Sequence, residues 1–187
     1  FFIGLAQLTR ADGGLLLAVA AIYLAIGRRY GRVQRLAMIT LAFALTVAPW
    51  FWRNVQEMGT PIVSSWGRTV FVREYNELYW YEREATLEYY LAWGWQNIIA
   101  SKIDALWANL QVVGEAVLWL PFALVGMAVA WRRNVYRPAI IYLVLLWLTL
   151  SGVFTFASVR GTFRHSFGAV LPYLYPMLIL GIVESVR

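Results

Sequence analysis

Long uncharged runs alternate with short polar links along the chain. Gly13–Gly27, Leu36–Trp52, Ala116–Trp131, Pro138–Val159 and Phe167–Val183 each contain no Asp, Glu, Lys or Arg. A helix needs about 20 apolar residues to cross a hydrocarbon core about 30 Å thick. The pattern therefore predicts five spanning helices. The first extends a little at either end, and the third is entered from about Val112 with Glu115 near its start. Phe1–Leu8 is apolar as well, but eight residues of helix rise only about 12 Å. It lacks the basic region that opens a signal peptide. It reads as the tail of a sixth spanning helix whose beginning is missing, so that anything catalytic upstream is absent from these residues.

The long polar and aromatic stretch, 53–111, carries its own helical signals. Leu87–Trp95 reads as a short helix with Thr86 as its N-cap. Asn97–Val113 places Ile99, Ile103, Leu106, Leu110 and Val113 on one face at spacings of 4, 3, 4 and 3, with Asn97, Ser101, Asp104 and Gln111 elsewhere. That pattern suits an amphipathic helix on a membrane surface. Thr69–Val72 is expected as a short strand, and Gly59-Thr60-Pro61 as a chain break. The expected fold is all-α: a polytopic transmembrane bundle with an extracytoplasmic helical insertion. It divides into transmembrane helices over 1–52, the outer segment over 53–111, and three transmembrane helices over 112–187.

Composition sharpens this picture. Of 187 residues, 61% are hydrophobic and 14% charged, against about 25% charged in an ordinary soluble domain. Disorder, a coiled coil and a nucleic-acid partner are poor fits despite the net charge of +6. The absence of Cys excludes disulfides and thiolate metal sites, and a single His excludes a multi-His zinc site made by these residues alone. No metal site is assigned, and a divalent-metal requirement stays open. Two short loops, 28–35 and 132–137, hold seven of the sixteen basic residues and no acid. The positive-inside rule places both in the cytoplasm and 53–111 outside. Binding of anionic lipid headgroups by these Arg predicts the same side. Trp50, Trp52, Trp80, Tyr89, Tyr90, Trp93, Trp95 and Trp107 gather at the predicted outer boundary, as an interfacial belt or as sugar-stacking rings.

The same topology collects Arg10, Asp12, Arg53, Asn54, Arg160, Arg164 and His165 at the outer ends of the spans. Arg donors at a bilayer surface suit a lipid-linked phosphate or pyrophosphate, and can stabilise charge on a departing phosphate. Snorkelling to the interface is the competing explanation for each, and Arg10 with Asp12 can equally be an ion pair fixing a hairpin. His165 either assists a phosphate site or sits at the interface. Glu82, Glu84 and Glu88 read as solvated carboxylates. Glu115 needs a partner or an interfacial position, because its neighbours are apolar. There is no GxGxxG after a strand, no P-loop and no HExxH.

Ala48-Pro49-Trp50-Phe51-Trp52-Arg53-Asn54 followed by Gly59-Thr60-Pro61 resembles the PW–RN–G–P passage of membrane glycosyltransferases of the GT-C fold. The nearest resemblance is to the bacterial glycosyltransferase family 39 type, which includes protein mannosyltransferases and the lipid A aminoarabinose transferase. Leu8-Thr9-Arg10-Ala11-Asp12-Gly13 resembles that family's LTR-x-DG link. Gly67-Arg68-Thr69 and Glu74-Tyr75-Asn76-Glu77-Leu78 resemble its outer loop. Tyr90-Leu91-Ala92-Trp93-Gly94, Asn109-Leu110-Gln111 and Leu120-Pro121 also fit, in order, so the resemblance covers nearly the whole chain.

The resemblance implies sugar transfer from a polyprenyl-phosphate donor to an acceptor hydroxyl or amine at the extracytoplasmic face of a bacterial plasma membrane, usually with inversion. The family's catalytic Asp or Glu lies in a first outer loop, expected upstream, so no catalytic residue is named in this chain. The missing N-terminal half, membrane lipid and the lipid-linked sugar are the implied partners. Arg53 and Asn54 match the motif directly as donor-phosphate ligands, with Arg10, Arg160, Arg164 and His165 as further candidates. His165 stands where the family often has Tyr. Glu74, Tyr75 and Asn76 are implied on the sugar or acceptor side. The alternative is a transporter or flippase of a lipid-linked substrate. It would lack a charged relay, since 36–52 and 138–159 carry no charge, but Thr46, Thr149 and Ser151 offer hydroxyls for a polar path.

Overall fold

The structure, a computed structural model, describes residues 1–187 except 28–29, 62–69, 75, 78–84, 117–119 and 154–162. Among the described residues the regular structure is entirely helical. The chain forms two compact units, Phe1–Ser64 and Ser65–Arg187.

In the first unit, α1 (Phe2–Thr9) leads through a single 3₁₀ turn (Ala11–Gly14) into α2 (Leu15–Ile26), and α3 (Arg32–Met58) follows. Both α1 and α2 pack on α3. Gly4 of α1 sits directly on Thr46 of α3, where a Cβ would lie 2.5 Å from the Thr46 Cβ. The Thr46 hydroxyl is turned back to donate to the Ala42 carbonyl of its own helix, at 2.6 Å. At 27 residues, α3 is the one helix among the described residues that is long and apolar enough to cross a membrane by itself, and only 6% of its most apolar stretch is buried. It outruns the uncharged run 36–52 at both ends. Pro49 lies inside it without ending it. Charge and amide side chains do not stop a helix either. The stop comes at Gly59, whose left-handed backbone (φ 71°) lets its N–H close on the Val55 carbonyl, a conformation that costs glycine little.

In the second unit, α4 (Leu87–Leu91) begins at Thr86, whose Oγ1 accepts from the Tyr89 N–H at 3.2 Å. The expected cap is therefore present, and the helix is shorter than expected. The expected strand is not formed, since Val70 and Phe71 make a turn and residue 69 is outside the described residues. Next come α5 (Trp95–Ala116), α6 (Leu120–Trp131), α7 (Arg137–Gly152), α8 (Phe163–Phe167) and α9 (Leu171–Val186). The amphipathic helix expected over 97–113 exists as α5, but it runs on to Ala116. α6 is set at 89° to it, so α5 and α6 form at most one broken span. α2, α7 and α9 are apolar but shorter than a full crossing.

The core of the second unit has two parts. α6 and α9 pack along their lengths through Ala123, Gly126 and Ala130 on one side and Leu174, Met177 and Gly181 on the other. The backbones touch there. A Cβ on Gly126 would fall 1.7 Å from the Met177 carbonyl oxygen, and one on Gly181 would fall 1.8 Å from that of Phe122. Small residues that let helix backbones approach are the packing device of apolar helices in lipid. α5 packs on α7 and α8, burying Ile98, Ala105, Asn109 and Val112 of α5 together with Leu146, Leu150 and Ser151 of α7.

Candidate functional site

The link from α1 to α2 is built by the residues of the Leu8–Gly13 motif. Thr9 donates its hydroxyl to the Ala6 carbonyl at 2.8 Å, and the extended Arg10 (φ −148°) turns the chain out of α1. Its Nε donates to Asp12 Oδ1 at 3.0 Å, with Asp12 buried and Arg10 half-exposed. The Gly13 position folds back on α1, since a Cβ there would lie 2.4 Å from the Ala6 carbonyl carbon. The Arg10–Asp12 pair is therefore a hairpin lock, and burying Asp12 is tolerable because the guanidinium accompanies it.

Arg53 and Asn54 stand inside α3, more than a turn before its end, rather than just beyond it. Adjacent residues on a helix face about 100° apart, and these two do different work. Asn54 is 5% exposed, and its Nδ2 donates to the Pro61 carbonyl at 3.1 Å, tying the chain after α3 back onto the helix. Arg53 is exposed, and its guanidinium lies 5.3 Å from the centroid of the Trp50 ring one turn earlier. The described residues place no carboxylate in an ion pair with it.

In the second unit, α8 is fixed by Phe163, Ser166 and Phe167, which are buried, with the two rings stacked at 5.6 Å. Arg164 and His165 are left exposed between them. Arg164 Nη2 lies 4.0 Å from Glu115 Oε2, with the two side chains 65% and 69% exposed. Glu115 thus has a partner, in a pair so open to solvent that it holds the guanidinium only loosely. Glu74 and Asn76 are exposed. Arg160, Tyr75 and the Gly67–Thr69 motif lie outside the described residues, as do Trp80, Glu82 and Glu84.

The structure also builds a cluster that the sequence reading did not assemble. The Arg73 backbone N–H donates to Glu77 Oε2 at 2.8 Å, and the Tyr89 hydroxyl donates to Glu77 Oε1 at 2.7 Å. The Arg73 guanidinium donates to the Tyr89 carbonyl and lies 3.7 Å from the centroid of its ring. Glu77 belongs to the Glu74–Leu78 motif, yet the structure gives it to the internal scaffold of the 53–111 segment. The i, i+4 spacing of Arg73 and Glu77 was the available signal; the third member, Tyr89, is distant in sequence. Lys102, the chain's single lysine, donates to the Val153 carbonyl at the end of α7 at 3.0 Å and lies 5.6 Å from the Tyr90 ring centroid. No group of three or more His, Asp or Glu able to hold a metal occurs among the described residues.

The exposed Arg53 and the Arg164–His165 pair can each donate hydrogen bonds to an anion. Arg10, Asp12, Asn54 and Glu77 are held in contacts within the protein. No protein-family model, curated protein or solved structure matches the chain.

Proposed function

We propose that the chain is part of an integral-membrane glycosyltransferase that moves a sugar from a polyprenyl-phosphate donor to an acceptor at the extracytoplasmic face of a bacterial plasma membrane. On this reading the fold is a polytopic GT-C-like bundle, with 28–35 and 132–137 cytoplasmic and 53–111 extracytoplasmic. The observation that carries it is Arg53. Within the motif that resembles the family, at the polar end of a helix long enough to cross a bilayer, stands an exposed guanidinium beside Trp50, with no carboxylate paired to it among the described residues.

The chemistry assigned to these residues is charge stabilisation. The acceptor oxygen or nitrogen forms its bond to the anomeric carbon as the bond from that carbon to the phosphate oxygen breaks. The bonding pair leaves with the polyprenyl phosphate, and the acceptor proton passes to the upstream carboxylate that the resemblance implies. A guanidinium offers two parallel N–H donors to two phosphate oxygens, and its hold strengthens as the leaving phosphate gains charge. Arg53 takes that role. Asn54 holds the turn after α3 by its bond to the Pro61 carbonyl. By the resemblance, Arg10, Arg160, Arg164 and His165 are separately further phosphate candidates, and Glu74, Tyr75 and Asn76 are candidates for the sugar or acceptor side.

In the full-length protein, Arg53→Ala is expected to reduce sugar transfer from a polyprenyl-phosphate donor by roughly 100-fold, the usual loss for one transition-state donor, with membrane expression unchanged. Arg53→Lys should recover only part of it, because an ammonium cannot make the two-point contact. Wild-type turnover in Arg53→Ala would overturn the assignment. Two of the three hydroxyls open to a transport path, Thr46 and Ser151, are engaged inside the protein, which supports transfer over transport.

A further inference from the structure

Helix α5 has three faces where an ordinary amphipathic helix has two. One face is buried against the rest of its unit: Ile98, Ala105, Asn109 and Val112. A second is exposed and polar: Asn97, Asp104, Gln111 and Glu115. The third is exposed and apolar except for Gln96. Trp95 is 69% exposed, Ile99 57%, Ile103 58%, Trp107 61% and Leu110 37%. At about 100° per residue these five share a sector roughly 120° wide. The spacing puts Leu106 and Val113 on this face as well, but Val113 is buried and Leu106 half-buried. The two Trp residues are what complete it.

The contacts of α5 fix its direction. Lys102 reaches the Val153 carbonyl just beyond α7, and Asn109 reaches Ser151 in the last turn of α7. Glu115 meets Arg164 of α8. The first two grip the end of α7 rather than its length, so α5 is laid across the tip of that helix. α6, which follows, carries no charge from Leu120 to Trp131 and stands at 89° to α5. An apolar helix directed along a membrane normal places a helix at right angles to it in the membrane plane.

We propose that α5 is a membrane-docking helix lying in the plane of the bilayer surface, with Trp95, Ile99, Ile103, Trp107 and Leu110 among the acyl chains of one leaflet. A lipid surface suits this face better than a protein. The polar sector borders the apolar one along the same helix, so the line between them follows a water–lipid boundary, and Trp95 and Trp107 bracket the stripe, as rings suited to such a boundary do. The inference rests on the membrane placement in the proposed function and is independent of the transfer chemistry.

The absence of cysteine permits a direct test. Single Ile99→Cys, Ile103→Cys, Asn97→Cys and Asp104→Cys variants, with Leu45→Cys in α3 as a span control, are spin-labelled and reconstituted in phosphatidylcholine vesicles. Collision rates with oxygen, which partitions into lipid, and with a water-soluble nickel chelate are then compared. Labels at 99 and 103 should favour oxygen several-fold, those at 97 and 104 should favour nickel, and the label at 45 should favour oxygen. Nickel access at 99 and 103 equal to that at 104 would put the stripe in water. Shielding of 99 and 103 from both reagents would give the face to a protein, such as a second copy. Either result overturns the docking while the Leu45 label still reports lipid. Nickel access at 45 would overturn the membrane reading itself.

Discussion

Asn109 and Ser151 illustrate how a single polar pair behaves in an apolar interior. Asn109 is 1% exposed and Ser151 fully buried, and the Asn109 Nδ2 donates to the Ser151 Oγ at 2.8 Å. The Asn109 Oδ1 is buried without a hydrogen-bond partner among the described residues, as is the indole N–H of Trp147, one turn from Ser151 on α7. The bond is therefore worth keeping only while both partners are present. Ser151→Ala strands a second atom of the same amide and should lower unfolding stability in detergent by about 1 kcal/mol. Adding Asn109→Leu removes the amide altogether at nearly constant volume. The double variant should recover most of that loss in the same chemical-denaturation measurement, whereas simple additivity would contradict the account. Neither residue announces this role in the sequence. Ser151 reads as one hydroxyl in an uncharged run, and Asn109 as an amide between Ala108 and Leu110; their pairing depends on α5 crossing the end of α7.

At the scale of elements, the junction of α6 and α9 is the tightest among the described residues. Gly126 and Gly181 each face a carbonyl oxygen of the opposing helix, from Met177 and Phe122. A side chain at either position must push the backbones apart, so Gly181→Val is expected to cost roughly 2–3 kcal/mol and to lower the midpoint of thermal unfolding in detergent. Gly114 in α5 is the contrast. Nothing among the described residues lies within 4 Å of a Cβ placed there, and its backbone is helical. Gly114→Ala should therefore stabilise by about 0.5–1 kcal/mol through the helix preference alone, and destabilisation there would mean an occupied face. Helix positions were legible because uncharged runs mark them, and the ends less so. Arg53 and Asn54 looked like the exit from α3 because they end an apolar run, but the helix ends where Gly59 can turn left-handed. The direction change between α5 and α6 was invisible for a related reason: hydropathy averages over a stretch and carries no information about its axis. The motif around Gly13 was legible as a motif, but its reason, the close approach to Ala6, belongs to the folded hairpin.

For the whole molecule, the decisive quantity is how much apolar surface stays open. Along α3, Met38, Leu41, Leu45, Trp50 and Trp52 are each at least 49% exposed, far beyond the scattered single residues that water tolerates. The charges divide by place rather than by number: the two Arg-rich loops carry no acid, while 53–111 carries seven acidic residues against five basic ones. An Arg-rich loop is retained in the cytoplasm because moving several guanidinium groups across an energised membrane is costly. Segment 53–111 has no such excess. Tyr30 and Val135, one in each Arg-rich loop, are 100% and 74% exposed, so Tyr30→Cys and Val135→Cys should present their thiols freely. In intact cells a membrane-impermeant maleimide should leave both unlabelled until the membrane is opened, while Glu74→Cys in the outer segment is labelled at once. Labelling of Tyr30→Cys and Val135→Cys in intact cells, with protection of Glu74→Cys, would invert the orientation and move Arg53 to the cytoplasmic face, where an extracytoplasmic sugar acceptor could not reach it. Labelling of only one of the two loop variants would break the alternation of spans between them and overturn the bundle topology.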